Sequence, residues 1–478
     1  MAIIISGWPW GRNFLLMTAR DTGYSRGRMH KGPSWPKGGN VVESGDSRTG
    51  TSVWPMTRRF WVLVHRYAGL FLAFFLIVAG LTGSILAFDG EINGWLNPPP
   101  RVEAQERPML DPFDLRERAL AVIQQGRINS ISFQRKPDEA YSVRVEPREN
   151  PVTGQPVDLV FNRVTLDPYT GVEISRATVS DDLWPITKQN VIPLIVALHY
   201  RLVVPGSIGS WLFGIAAVIW TIDCFIGFYL TLPALPRRQT DGAAPYLGAR
   251  HSWWIRWIPS WLVKWQGSPY RLNFDLHRAS GLWTWVMLFV LAWSSVAFNL
   301  GPQVYTPIMK VLFDMQDPYG DRPTVQSPQP DPALDWREAH EIGTQLMAEQ
   351  AGLRGFTVLR EESLSYDPEK SVFFYSVRSD RDVSDEFGGT AVFFDATTGA
   401  FVGLNMPSGQ DAGTTITNWI LTLHMAAIWG LPFKIFVCAM GVIVAMLSIT
   451  GVYLWLKKRR SRGVSQARRT RPVTVSHA

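Results

Sequence analysis

Four stretches of this chain, residues 61–88, 208–232, 281–300 and 433–456, stay apolar for the length of a bilayer core. A hydrocarbon layer of about 30 Å takes roughly 20 helical residues to cross. In lipid every backbone N–H and C=O must find its partner inside the chain, so such stretches become helices. The expected fold class is membrane α-helical with four transmembrane helices. The polar segments between the spans must form domains of their own.

The formal charge of +7 is informative by location. Arg58, Arg59 and Arg66 flank the first span. Arg237, Arg238, Arg250, Arg256, Lys264 and Arg271 fill the loop after the second, and Lys457, Lys458, Arg459, Arg460 and Arg462 follow the fourth. Short cytoplasmic loops collect Lys and Arg, which places both termini in the cytoplasm and the two large polar segments outside. Acidic residues dominate residues 314–411, among them Glu361, Glu362, Asp380, Asp382, Asp385 and Glu386. Because the bases abut spans, they read as topology signals and not as a nucleic-acid surface. The two cysteines, Cys224 and Cys438, lie inside spans and form neither a disulfide framework nor a Cys-x-x-Cys-His haem attachment.

The spans come in a repeated pattern. His65-Arg66-Tyr67-Ala68-Gly69-Leu70 opens the first and His277-Arg278-Ala279-Ser280-Gly281-Leu282 the third. After each comes a polar segment with an Asp-Pro helix start (Asp111-Pro112, Asp331-Pro332). Alternating strands follow, over residues 141–145 and 372–377. Each segment then carries a hairpin, Asp167-Pro168-Tyr169-Thr170-Gly171 or Asp395-Ala396-Thr397-Thr398-Gly399. In these hairpins Asp starts the turn and Gly supplies the positive φ that closes it. A short apolar helix with a second histidine, His199 or His424, leads into a closing span that ends in Gly-x-Tyr-Leu. The reading is a duplicated arrangement of two spans and one α+β extracytoplasmic domain per half. Parallel repeats face each other across an axis along the membrane normal, which sets His65 against His277 at the cytoplasmic level and His199 against His424 at the outer level.

Ionisable residues at membrane depth are functional candidates. Two opposed imidazoles on different helices suit six-coordinate haem iron and electron transfer, so two such pairs would make two haem centres. Packing of the four histidines is the structural alternative. Zinc fits less well, because no Cys, Asp or Glu stands near any of the four at a ligand-like spacing. Arg66, Arg278 and Arg201 follow the histidines closely enough to reach haem propionates, and for Arg66 and Arg278 a topology anchor competes with that role. Asp223, the one acid within a span, is read as facing the bundle interior toward an imidazole N–H or a cytoplasmic-side arginine. His340 is the extracytoplasmic histidine to test for iron-substrate binding; His30, His251 and His477 read as solvated. The tryptophans at 253, 254, 257, 261 and 265 fit an amphipathic segment in the headgroup region, with partner docking as the other use.

This layout, from the H-R-x-x-G-L span through the D-x-x-T-G hairpin and the Leu-His helix to the G-x-Y-L span, resembles the PepSY-associated transmembrane family over roughly residues 56–460. The resemblance implies a bacterial inner-membrane protein with two periplasmic PepSY-like domains and haem b on the intramembrane histidines. It also implies reduction of ferric siderophores to release Fe(II). No Gly-rich phosphate-binding strand–turn–helix signature occurs in the inner loops, so a separate cytoplasmic or quinol donor is expected. The competing functions are a non-enzymatic protein that binds a periplasmic partner, and a haem reductase of another periplasmic acceptor.

The expected division runs as follows: 1–55, a disordered cytoplasmic extension or start-site artefact, with Met56 a natural start; 57–88, first span; 89–190, first PepSY-like domain; 191–232, interfacial helix and second span; 233–275, cytoplasmic Trp-rich loop; 276–300, third span; 301–414, second PepSY-like domain; 415–456, interfacial helix and fourth span; 457–478, basic cytoplasmic tail.

Overall fold

The computed structural model describes residues 57–469 except 124, 150–154, 179–181, 234–251, 320–321 and 326–327. The expected extension at 1–55, the first part of the Trp-rich loop, and His30, His251 and His477 lie outside the described residues.

Four helices are long and apolar enough to cross a membrane. They are α1 (Arg58–Leu86), a second over Ile208–Thr231, a third over Trp285–Leu312 and a fourth beginning at Gly430. Small residues let two of these backbones meet. A Cβ added to Gly80 would stand 2.5 Å from the carbonyl oxygen of Gly441, and one added to Gly441 would stand 2.4 Å from that of Gly80. Ser84 Oγ donates to the carbonyl of Cys438 across the same seam at 2.8 Å. Such close approach is how helices associate where lipid removes the hydrophobic drive.

In chain order, the helices after α1 are α2 (Asp89–Leu96), α3 (Pro112–Val122), α4 (Val191–Arg201), α5 (Ile208–Thr231), α6 (Trp253–Trp257), α7 (Pro269–Trp283), α8 (Trp285–Leu300), α9 (Thr306–Leu312), α10 (Trp336–Arg354), α11 (Ala412–His424) and α12 (Gly430–Arg469). The third span departs from the expected 276–300. A break at Thr284 sets α7, which carries His277, apart from α8, and a π-helical turn over Gly301–Tyr305 carries the span on into α9. The described part of the Trp-rich segment is a short helix followed by a 3-10 turn at Pro259. Trp253, Trp254, Trp257 and Trp261 pack on one another, edge to face or tilted, around the five-residue α6. Ser260 and Trp257 tie this segment to Thr231 at the end of α5.

The strands are β1 (Gly126–Arg127), β2 (Ser130–Ser132), β3 (Tyr141–Arg144), β4 (Glu146–Pro147), β5 (Arg163–Leu166), β6 (Glu173–Ala177), β7 (Val358–Asp367), β8 (Val372–Ser379), β9 (Thr390–Asp395) and β10 (Phe401–Asn405). In the first polar segment an antiparallel sheet in the order β3-β5-β6 packs against α3 through Leu115, Ala119, Tyr141, Val143, Val164 and Leu166. The second segment builds β10-β9-β8-β7 against α10, and the order continues to β2. The division between the two segments is therefore not clean. Strand β2 leaves its own segment to pair antiparallel with β7, Ile131 opposite Leu364, and Ile131 and Phe113 enter the second segment's core. Arg148 pairs with Asp331 through both guanidinium nitrogens (2.5 and 2.9 Å), and Arg337 reaches Asp114 at 2.5 Å.

Both hairpins close as their residues require. Asp167 Oδ1 accepts from the amides of Tyr169 and Thr170, and Asp395 Oδ1 from those of Thr397 and Thr398. Gly171 and Gly399 hold φ of 68° and 72°. The helix starts agree only in part. Asp111 caps α3 with Pro112 at its first position, whereas α10 is capped by Asp335, four residues after the expected Asp331. The sheets sit at one end of the bundle: Asp385, between β8 and β9, donates its amide to the carbonyl of Ala427 and accepts from the amide of Trp429, and Lys434 bridges Glu91 and Glu386.

Candidate functional site

Each short helix bearing the second histidine of its half ends in a left-handed turn, at Leu202 and Val203 after α4 and at Ala426 after α11. These breaks leave His199 and His424 on the last turns of their helices, pointed into the bundle. The structure brings the four histidines together as two pairs. The ring centres of His65 and His277 are 6.1 Å apart, with planes at 65°, and those of His199 and His424 are 6.2 Å apart, with planes at 89°.

The partner of every Nδ1 is defined. His65 Nδ1 meets Asp223 Oδ1 at 2.9 Å, and His277 Nδ1 meets the carbonyl of Leu447 at 3.0 Å and the Thr450 hydroxyl at 3.1 Å. His199 Nδ1 lies 3.0 Å from the Thr82 hydroxyl and His424 Nδ1 lies 2.6 Å from that of Ser294. A carboxylate and a carbonyl can only accept. A hydroxyl has one proton, and Thr82 gives its own to the carbonyl of Val78, Ser294 to that of Val290 and Thr450 to that of Met446. With each hydroxyl proton on its helix carbonyl, all four imidazoles carry the proton on Nδ1 and the lone pair on Nε2, a tautomer suited to a metal ligand.

Glycines make room for these rings. A Cβ on Gly83 would come within 3.0 Å of His199 Cε1. Gly227 and Gly451 face Cε1 of His65 and His277 at 3.4 Å in the same sense. Around His65 and His277 a cavity of about 500 Å³ opens, lined by Gly69, Leu72, Trp220, Asp223, Trp285, Leu288, Trp455 and others. That is within the usual cofactor range of about 300–1,000 Å³. Gly69, one turn after His65, borders it, and a Cβ there would meet nothing within 4 Å.

The ring separations fit one metal between each pair. With a metal–nitrogen bond of about 2.0–2.1 Å and a ring centre about 1.1 Å behind the nitrogen, two imidazoles on opposite sides of an ion have centres about 6.3 Å apart. Among the described residues no group of three or more His, Cys, Asp or Glu gathers around a metal site. Two protein ligands alone leave a metal undersatisfied, so a group that brings its own equatorial ligands, as haem does, suits the donor set.

Residues 62–458 match the family of the PepSY-associated TM region. The chain belongs to that family. No curated relative matches it.

The arginines of this PepSY-associated protein differ among themselves. Arg278 lines the cavity but is braced to Asp275, which is wholly buried and also takes Arg271 at 2.8 Å. Arg66 lines the same cavity and makes no ion pair among the described residues. Arg58, also on the cavity wall, donates to the carbonyls of Leu230 and Leu232. Arg201 leaves a buried Nε without a hydrogen-bond partner, as does Arg278. An orphaned guanidinium nitrogen is costly unless an anion meets it.

His340 stands away from both pairs. Its Nε2 contacts Glu361 Oε1 at 2.9 Å, the same oxygen accepts from the Tyr375 hydroxyl, and the ring packs on Phe113 and Phe133. The His340 contact, foremost, holds the Glu361 carboxyl below its usual range. This histidine ties the two polar segments together. Thr82 and Ser294 escape sequence reasoning, although a signal existed: Thr82 stands as far after His65 as Ser294 after His277.

Proposed function

We propose that this PepSY-associated membrane protein binds two b haems, one between His65 and His277 and one between His199 and His424, and passes electrons across the bacterial inner membrane to periplasmic ferric siderophores, releasing iron as Fe(II). The observation that carries this reading is that the four rings stand as two pairs, with centres 6.1 and 6.2 Å apart, and that every Nδ1 lies within hydrogen-bond distance of an oxygen, which leaves Nε2 of each ring for a metal. Haem, when bound there, would supply a one-electron iron couple in a six-coordinate setting suited to electron transfer.

The chain's residues divide the work. Asp223, Leu447, Thr82 and Ser294 orient the rings; Gly69 and Gly83 keep space beside them; Arg66 and Arg201 carry guanidinium groups suited to propionates. His65 and Thr82 lie on one unbroken helix, so the two levels are about 25 Å apart at 1.5 Å per residue. That separation spans most of the hydrocarbon layer. The positive-inside pattern supports an orientation with the His65–His277 level and both termini cytoplasmic, and the two sheet-bearing domains periplasmic. The equal step from His65 to Thr82 and from His277 to Ser294, and the second histidine on a short helix before the closing span of each half, support a duplicated origin of the halves. Electrons would enter from a separate cytoplasmic or quinol donor.

Purified protein tests the reading by haem quantification and a reduced-minus-oxidised spectrum. Two b-type haems per chain are expected. A colourless preparation refutes the proposal and favours the non-enzymatic, partner-binding alternative. Reduction of a ferric siderophore by the dithionite-reduced protein, lost in His424→Ala, tests the acceptor.

A further inference from the structure

We infer that Asp223 is a positioning residue that lowers the reduction potential of the His65–His277 site below that of the His199–His424 site. This rests on the haem reading above. The four Nδ1 partners are unequal. His199 and His424 give their protons to the neutral hydroxyls of Thr82 and Ser294, and His277 to a carbonyl and a hydroxyl, whereas His65 alone meets a carboxylate. Hydrogen bonds to an ionised acceptor are roughly twice as strong as neutral ones. A carboxylate on Nδ1 draws the proton and enriches the ring, and the anion itself, nearly buried, favours the more positive oxidation state of a nearby metal.

The two halves differ at this point in kind. Asp223 precedes Gly227 by the same step that Leu447 precedes Gly451, so where one half supplies a side-chain carboxylate the other supplies only its backbone oxygen. Nearby cations do not cancel the charge by contact: Arg58 is spent on carbonyls and Arg278 on Asp275 and the Pro259 carbonyl, while the Asp223 carboxylate meets the neutral His65 ring. The result is a gradient built into the chain, with the lower potential at the end where the donor is expected and the higher potential beside the sheets.

Redox titration of the purified protein, followed by absorbance, resolves the two couples. Asp223→Asn keeps the size and an acceptor oxygen but removes the charge. Both haems should remain, the lower couple should rise by about tenfold in its reduction equilibrium, or 59 mV for one electron, and the upper couple should stay in place. Asp223→Glu should restore the lower value. In His424→Ala, which removes the other site, the surviving couple should be the lower of the two, and this holds as a test even where Asp223→Asn sheds haem. Two haems with unmoved couples in Asp223→Asn, or a surviving upper couple in His424→Ala, overturn the role of Asp223 alone. A chain without haem overturns the reading it rests on as well.

Discussion

Ser294→Ala tests the tautomer argument at its most exposed step. Ser294 is wholly buried, its hydroxyl accepts from His424 Nδ1 at 2.6 Å, and its own proton goes to Val290. With the hydroxyl gone, the ring has two choices. It can keep the Nδ1 proton and leave a donor unsatisfied in a dry interior, at about 1–3 kcal/mol. Alternatively it can move the proton to Nε2 and lose the lone pair that faces the cofactor. If the proposed haem binds there, the first cost alone would weaken it roughly 5- to 150-fold, at 1.4 kcal/mol per tenfold. The assay is transfer of haem to an excess of an apo-haem scavenger, followed by absorbance. One haem of the two should leave much faster than in the parent protein, and the other at the parent rate. Ser295→Ala is the control, since its hydroxyl serves only the Leu291 carbonyl among the described residues. Parent-like retention of both haems in Ser294→Ala would refute the reasoning.

Steric and acid tests follow from other contacts. Gly83→Ala places a methyl 3.0 Å from His199 Cε1 and should shift the spectrum of that site alone, whereas Gly69→Leu, projecting into the cavity, should cost the His65–His277 haem; haem counts per chain check both. Ile131→Ala, 1% exposed and set in the core of the sheet it joins, should lower stability by about 2–5 kcal/mol, read by chemical unfolding of the polar region. Burial works to raise the Asp395 carboxyl, but the Arg322 guanidinium and the Thr397 and Thr398 amides outweigh it and hold the group down to about 2. A depressed carboxylate contributes stability that is present above its unfolded value and lost as pH falls through its folded one. Acid unfolding of the polar region between about pH 4 and pH 2 should therefore be less steep in Asp395→Asn, measured by tryptophan fluorescence; an unchanged acid limb argues against it.

Which features could be read from the chain depended on whether their cause was local. A run of twenty apolar residues has one outcome in lipid, and an Asp-x-x-Thr-Gly turn carries its own acceptors and its own positive-φ residue, so the spans and the two hairpins were visible in the residues themselves. The start of α10 was not. Asp331 before Pro332 has the form of a cap, but Arg148 of the other segment claims that carboxylate and Asp335 caps instead. Strand β2 was out of reach for a stronger reason: three residues, Ser-Ile-Ser, hold no periodicity, and their place beside β7 depends on a partner more than two hundred residues away. The histidine pairs lie between these cases. Each histidine stands in a motif, and Asp223 is legible as turned inward onto a partner, because a lone acid in a span must find one and His65 supplies it. Thr82 and Ser294 gave no such warning, since a hydroxyl in a membrane helix satisfies itself on the carbonyl four residues back and so looks inert. That self-satisfaction is what makes them useful. A hydroxyl already committed as donor can only accept, and only an acceptor could hold His199 and His424 by Nδ1 with Nε2 free, as the proposed haem site requires.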